Sequence, residues 1–290
     1  MCRLFGFRSV IDSQVHRSLL DCDNALVHQS ERHCDGWGVA YYVHGVPHMI
    51  KSARSAMEDN LFARVSGIVS AQTVVAHLRL ATAGRNSMVN CHPFQFGSWI
   101  FAHNGQIPDF QTHRDALLGH IDPDLRRFVL GDTDSEVIFY MLLSVLRRCI
   151  DLAEPNPPIA CILDATEQTI ATIHALTGQN CYVSTQREDL YLSFILTNGQ
   201  VMVGHQGGKP LFFSTHKNRC PERNTCPSFG RSCEMAVRSG PVNHLLLTSE
   251  PLRGDNVWSD MASGQTVAVD REMNLQIFEK KTAEPMSASA

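Results

Sequence analysis

The sequence has no long apolar run, no surplus of basic charge and no leader-like start, and each absence removes a class of function. No apolar stretch approaches the roughly 20 residues needed to cross a bilayer, so neither a membrane span nor a membrane partner is expected. The formal net charge is −4 with 19% charged residues. Nucleic-acid binding calls for a concentrated basic face, so no nucleic-acid partner is expected either. The start lacks the charged n-region and long apolar h-region of a secretory signal. Ten cysteines without such a signal read as reduced thiols, and the expected compartment is the cytoplasm. At 290 residues the chain has ample capacity to bury a core.

What is present begins with Met1-Cys2. If the methionine is trimmed, Cys2 carries a thiol and a free α-amine on one residue. The amine titrates near 7.7–8.0 and the thiol near 8.5, so the amine can take the thiol's proton close to working pH. One residue then supplies nucleophile and base. A small residue tucked into the first strand is the competing reading of Cys2 taken alone.

Four stretches downstream change that balance: 76–84 (AHLRLATAG), 90–94 (NCHPF), 102–106 (AHNGQ) and 131–136 (GDTDSE). Acyl transfer on Cys2 needs a clamp, an oxyanion hole and a counter-charge. Asn104 and Gly105 offer a side-chain amide and an unhindered backbone N–H, two donor types suited to an oxyanion. Arg79 carries the planar fork that grips a carboxylate with two hydrogen bonds. Asp134 can pair with an ammonium. A substrate with carboxylate and ammonium at one end is an amino acid, attacked at its far end. For Asp134 the alternative is charge complementarity at a helix N-terminus, worth roughly 0.3–1 kcal/mol.

These stretches resemble, in order, the glutaminase domain of class II glutamine amidotransferases, members of the N-terminal nucleophile hydrolase superfamily. The start Met-Cys-Arg-Leu-Phe-Gly, the Asp35-Gly36-Trp37-Gly38 turn and Ser249-Glu250-Pro251-Leu252 with Trp258 resemble its stand-alone members that hydrolyse γ-glutamyl amides. The resemblance covers roughly residues 2–275. It implies an α+β fold, a four-layer αββα sandwich of two antiparallel sheets, in one domain over 2–279; the final stretch, 280–290 (KKTAEPMSASA), reads as a disordered tail. It implies Cys2 as nucleophile, Asn104 with Gly105 as oxyanion hole, Arg79 with Thr82 on the α-carboxylate and Asp134 on the α-amine. His103 joins the substrate-binding set, and His92-Pro93 supports the pocket wall. Sugar-phosphate amidotransferases read Arg-Trp-Ala-Thr-His-Gly where this chain reads Arg79-Leu80-Ala81-Thr82-Ala83-Gly84. The missing Trp and His remove a lid and a ligand contact, which points away from plain glutamine specificity.

The remaining patterns place these motifs. Strands are expected at 3–10, 38–43, 73–79, 99–102, 159–163, 180–185, 190–197, 200–205, 243–248, 265–270 and 274–278. Helices are expected at 15–30, 53–65, 134–149 and 166–176. Val75, His77 and Arg79 alternate onto one face, with His77 read as a buried, satisfied histidine. Trp37 lines the pocket or packs in the core. Thr133 and Glu136 read as a capping box. Residues 153–158 (AEPNPP) read as a surface loop. Asn198-Gly199 marks a hairpin. Gly204 to Lys209 fails as a phosphate loop because Pro210 stands where Ser or Thr is needed, and no cofactor is expected. Cys220, Cys226 and Cys233 match no standard zinc spacing, even with His216 or His244, and read as surface thiols or a disulfide; no metal is expected.

The function implied is hydrolysis of the γ-amide of glutamine or a γ-glutamyl compound through a thioester on Cys2. The alternative is a non-catalytic or ammonia-donating subunit serving a synthase partner.

Overall fold

A computed structural model describes residues 2–14, 17–21, 26, 35–82 and 84–280; of residues 17 and 21 only the backbone is described. The strands are β1 (Arg3–Gln14), β2 (Trp37–Val43), β3 (Val46–Ser52), β4 (Ser70–Leu78), β5 (Phe94–Phe96), β6 (Trp99–Gln106), β7 (Tyr191–Thr197), β8 (Met202–His205), β9 (Phe212–Ser214), β10 (Gly240–Pro241), β11 (His244–Thr248), β12 (Ser259–Asp260), β13 (Thr266–Val269) and β14 (Asn274–Phe278). The helices are α1 (Asn60–Ile68), α2 (Phe110–Gly119), α3 (Pro123–Arg126), α4 (Asp134–Leu146) and α5 (Ile159–Thr177). One antiparallel sheet runs β12-β9-β11-β1-β4-β2-β3 and the other β10-β14-β13-β8-β7-β6-β5.

Period-2 alternation sorts the side chains into layers. Leu4, Val75, Ile100, Ala102, Ile195 and Val267 meet between the sheets. Their strand neighbours Phe5, Val74 and Ala76 face outward onto Phe62 and Val65 of α1. On the second sheet Phe101 and Phe194 face Phe139 and Leu142 of α4 and Ile162 of α5. The result is the expected helix–sheet–sheet–helix sandwich. Strand β7 is buried along its whole length because both its faces are covered. Residues 134–144 of α4 are buried on every side rather than along one stripe, as befits a helix lodged between a sheet and other helices.

Several expectations change. Residues 159–163 and 166–176, read as a strand and then a helix, form the single helix α5. Short apolar runs such as Ile159–Leu163 do not distinguish strand from helix, and the buried set Ile159, Ile162, Ala165, Thr166, Thr169 and Ile170 has helical spacing. Residues 180–185 form turns, and the helix expected at 53–65 starts only at Asn60, capped by Asp59 accepting from the Leu61 N–H. Strand β3 and helix α2 have no counterpart in the sequence reading. Of the helix expected at 15–30, residues 17–21 form a π-helical turn, Leu19 and Leu26 are core residues, and the rest lies outside the described residues. The tail from 281 onward and Met1 also lie outside them.

Not every cysteine is a thiol: Cys149 and Cys161 are joined, with Cα atoms 6.0 Å apart. The bond ties the chain just beyond α4 to the first turn of α5. The intervening loop, which contains 153–158, is held at its carbonyls. Trp99 Nε1 donates to Leu152 O, and Asn198 Nδ2 to Glu154 O and Pro155 O. Among the described residues, no helix is long and apolar enough to cross a membrane.

Candidate active site

Strand alternation decides which motif residues can meet. Leu4 and Val75 face the inter-sheet layer, as do Ile100 and Ala102. Carried along β1, β4 and β6, the same parity points Cys2, His77 with Arg79, and Asn104 into that layer. Leu4 pairs with His77 across β1 and β4, and Arg3 with Leu78, so Cys2 lies beside the end of β4. There its sulfur is 3.4 Å from both the N and the O of Leu80. Across the gap, His77 Nε2 lies 3.2 Å from His103 O, one residue before Asn104. Cys2, Arg79, Asn104 and Asp134 are all buried.

The start of β1 is held from the far end of the chain. Leu4 N donates to Ser249 Oγ at 3.0 Å, Thr248 Oγ1 donates to Leu4 O, and Arg3 pairs with Glu250 at 2.6 Å. The Ser249-Glu250 motif therefore anchors the strand that carries Cys2, a task the sequence motif did not disclose.

Burial pushes the Cys2 thiol upward. The Leu80 backbone and the Arg79 guanidinium oppose that rise, and Asp134 adds to it. Arg79 and Asp134 thus act on the same sulfur from different layers of the sandwich.

Arg79 follows β4. Its N–H donates to Gly36 O at 2.8 Å, and Nη2 donates to Gly84 O at 3.2 Å. Gly36 needs its positive φ of 128°, and a Cβ at Gly38 would stand 2.1 Å from His92 O. These two glycines let the 91–93 segment lie against β2. Trp37 is a core residue: fully buried, edge-on to Phe62, with Nε1 donating to Asp59. Thr82 is exposed on the loop after Arg79.

Asp134 opens α4. Its Oδ2 accepts from Ile107 N at 2.7 Å and its Oδ1 from Ser135 N at 2.7 Å, which ties the helix start to the end of β6. Thr133 caps the helix by accepting from Glu136 N at 3.3 Å. The capping box is not reciprocal, because the Glu136 carboxylate accepts from Leu130 N and Gly131 N instead.

His103 points the other way. It shares parity with Phe101, stacks on it, and turns from the gap toward α4; Nδ1 lies 2.9 Å from Ser135 Oγ and Nε2 3.0 Å from Tyr191 O. The structure therefore brings Arg79 and Asp134 to the Cys2 sulfur, leaves Asn104 one residue beyond the His77–His103 contact, and turns the His103 ring toward α4. Gly105 is sterically required: a Cβ there would lie 2.0 Å from Tyr191 O.

Two contributors, Asp35 and Asn90, were not legible beforehand, and His92, expected in the pocket wall, has a partner that was not foreseen. The Asp35 carboxylate accepts from Ala81 N at 2.8 Å, which holds the loop beyond Arg79. The Asn90 carboxamide bonds to Arg85 O and to both the backbone N and the carboxylate of Asp132. His92 packs its ring 4.1 Å from that of His77. The only available signal was their place inside the Asp35-Gly36 and Asn90–Phe94 motifs.

Among the described residues, no three His, Cys, Asp or Glu side chains are grouped to hold a metal. Cys220, Cys226 and Cys233 are free thiols lining a cavity of about 240 Å³ beside His244.

Comparisons with known proteins show the family of the chain. The family model described as glutamine amidotransferases class-II matches residues 1–290. A probable glutamine amidotransferase of Saccharomyces cerevisiae is 30% identical over 165 residues, covering 51% of this chain and 46% of that protein. A gamma-glutamyl-hercynylcysteine sulfoxide hydrolase of Mycobacterium tuberculosis is 32% identical over 119 residues, covering 37% of this chain and 50% of that protein. The chain thus spans about half the length of these curated relatives. A glutamine aminotransferase class-II domain protein from Silicibacter pomeroyi superposes with a TM-score of 0.60 at 18% identity, over 96% of this chain and 100% of that one. The chain belongs to the class II glutamine amidotransferases.

Proposed function

We propose that the chain is a cysteine-dependent amidohydrolase that cleaves the γ-amide of a γ-glutamyl compound or of glutamine. The observation that carries this reading is that Arg79 and Asp134 both act on the buried Cys2 sulfur, while Asn104 follows the His103 carbonyl that His77 of the neighbouring sheet contacts. Removal of Met1 exposes the Cys2 α-amine, which takes the thiol proton; burial alone would leave the sulfur protonated. The thiolate adds to the side-chain carbonyl carbon, and the C=O electron pair moves to oxygen. That oxyanion is received by the Asn104 carboxamide and the Gly105 N–H. The tetrahedral adduct collapses, the C–N bond breaks, and the departing amine takes a proton from the Cys2 α-ammonium. Water then cleaves the γ-glutamyl thioester, yielding glutamate and the free thiol. Arg79, with Thr82 beside it, holds the α-carboxylate, and Asp134 holds the α-ammonium.

Direct hydrolysis needs no partner protein. The mycobacterial relative, named a gamma-glutamyl-hercynylcysteine sulfoxide hydrolase, supports that choice over ammonia donation to a synthase. The test is to assay Met-free protein against glutamine, glutathione and other γ-glutamyl amides, beside Cys2→Ala. Release of glutamate by the wild type, lost in Cys2→Ala, is expected. An undiminished rate in Cys2→Ala overturns the proposal.

A further inference from the structure

His103 stands one residue before Asn104, and its ring turns away from the inter-sheet layer. Its two ring nitrogens meet partners of different kinds. Tyr191 O is a carbonyl and can only accept, so Nε2, 3.0 Å away, carries the proton. In the neutral ring Nδ1 is then an acceptor, and the donor facing it at 2.9 Å is the Ser135 hydroxyl. That hydroxyl has a second acceptor in reach, Asp134 Oδ1 at 3.2 Å. It has one proton to give. Asp134 Oδ1 already receives the Ser135 N–H and Oδ2 receives the Ile107 N–H, each at 2.7 Å, whereas Nδ1 has the hydroxyl alone. The Ser135 proton therefore goes to His103.

This matters because of what Asp134 is for. Resting on the reading of Asp134 as counter-charge to the substrate ammonium, we propose that His103 is a positioning residue. It draws the Ser135 hydroxyl proton away from Asp134 and so leaves that carboxylate's remaining lone pairs to the α-ammonium of the substrate. Burial holds the His103 imidazole toward its neutral form against the pull of Asp134, which keeps Nδ1 available as acceptor. The arrangement is built rather than incidental. Gly105 has no Cβ where one would stand 2.5 Å from His103 Nε2 and 2.0 Å from Tyr191 O, so the ring can reach that carbonyl.

The test uses the full-length, Met-free protein with two probes, glutamine and glutaramate, its analogue without the α-amine. His103→Phe keeps a ring against Phe101 but offers no acceptor, so the Ser135 hydroxyl turns onto Asp134. Its kcat/KM for glutamine should fall about tenfold further than for glutaramate, chiefly through KM. Adding Ser135→Ala removes the misdirected donor and should abolish that excess. Equal losses for both probes, or no recovery in the double variant, overturn the proposal. The wild-type ring is examined independently by 1H–15N correlation at neutral pH, which also serves if His103→Phe does not fold. A neutral ring protonated on Nε2 is expected; a proton on Nδ1, or an imidazolium, overturns the proposal. A Met-free wild type that hydrolyses no γ-glutamyl compound would instead fail the amidohydrolase reading, and the ring measurement would still decide the tautomer on which this inference stands.

Discussion

His77 of β4 reaches across the sandwich to place its Nε2 3.2 Å from the carbonyl oxygen of His103 on β6. Leu4 pairs with His77 on one side of this bridge, and Asn104 follows His103 on the other. The strand entered from Cys2 and the strand carrying Asn104 are thereby held at one separation at this end of the sandwich. Positioning of this kind is what a near-attack geometry requires.

The carboxamide is the first point to test. Loss of one oxyanion donor typically costs about 2.7–4 kcal/mol of barrier, so Asn104→Ala should slow turnover roughly a hundredfold or more. Steady-state kcat on the best γ-glutamyl substrate checks this, and a rate near wild type would remove Asn104 from the oxyanion hole.

Arg79→Lys keeps the charge but loses the two-pronged fork. A carboxylate clamp predicts a KM increase of about tenfold for substrates with a free α-carboxylate, each tenfold step being worth about 1.4 kcal/mol. Esters of the same substrates should show a much smaller change. An equal effect on acid and ester would speak against the clamp.

The pH dependence of stability follows from buried histidines. Burial lowers His244 from 6.5 to about 4 and His205 from 6.5 to about 3. Between those values and 6.5 the unfolded chain binds more protons than the folded one, so stability rises with pH across that window and falls on acidification. Urea midpoints measured from pH 7 to pH 4 should decline, and His244→Gln should flatten the slope. A flat wild-type profile would contradict the shift.

The bond between Cys149 and Cys161 predicts a covalent signature. Differential alkylation of protein folded under non-reducing conditions should leave these two positions unlabelled until reductant is added, as read by peptide mass. Closing a loop of this size contributes up to about 3 kcal/mol, so Cys149→Ser should lower the denaturation midpoint. Full labelling before reduction would show both as free thiols.

The candidate residues were legible in the sequence because each sits in a short motif whose residue type suits the proposed chemistry. Cys2, Arg79, Asn104-Gly105 and Asp134 are examples, and helix α4 announced itself through Thr133. The parity of Val75, His77 and Arg79 was equally readable, since alternation in a strand is a local property. Other features depended on partners far away in the chain. Ser249 anchors Leu4 and Asn90 stitches its loop to Asp132 through hydrogen bonds that no local window contains.

The sequence by itself determined the strand alternation, the start of α4 and the residue types available for acyl transfer, because these follow from neighbours within a few positions. Tertiary structure alone decided that Ile159–Thr177 is one helix, that Cys149 meets Cys161, and that His103 faces Ser135 rather than the gap. Each of those outcomes is set by which face of an element is covered, and covering is done by segments distant in sequence.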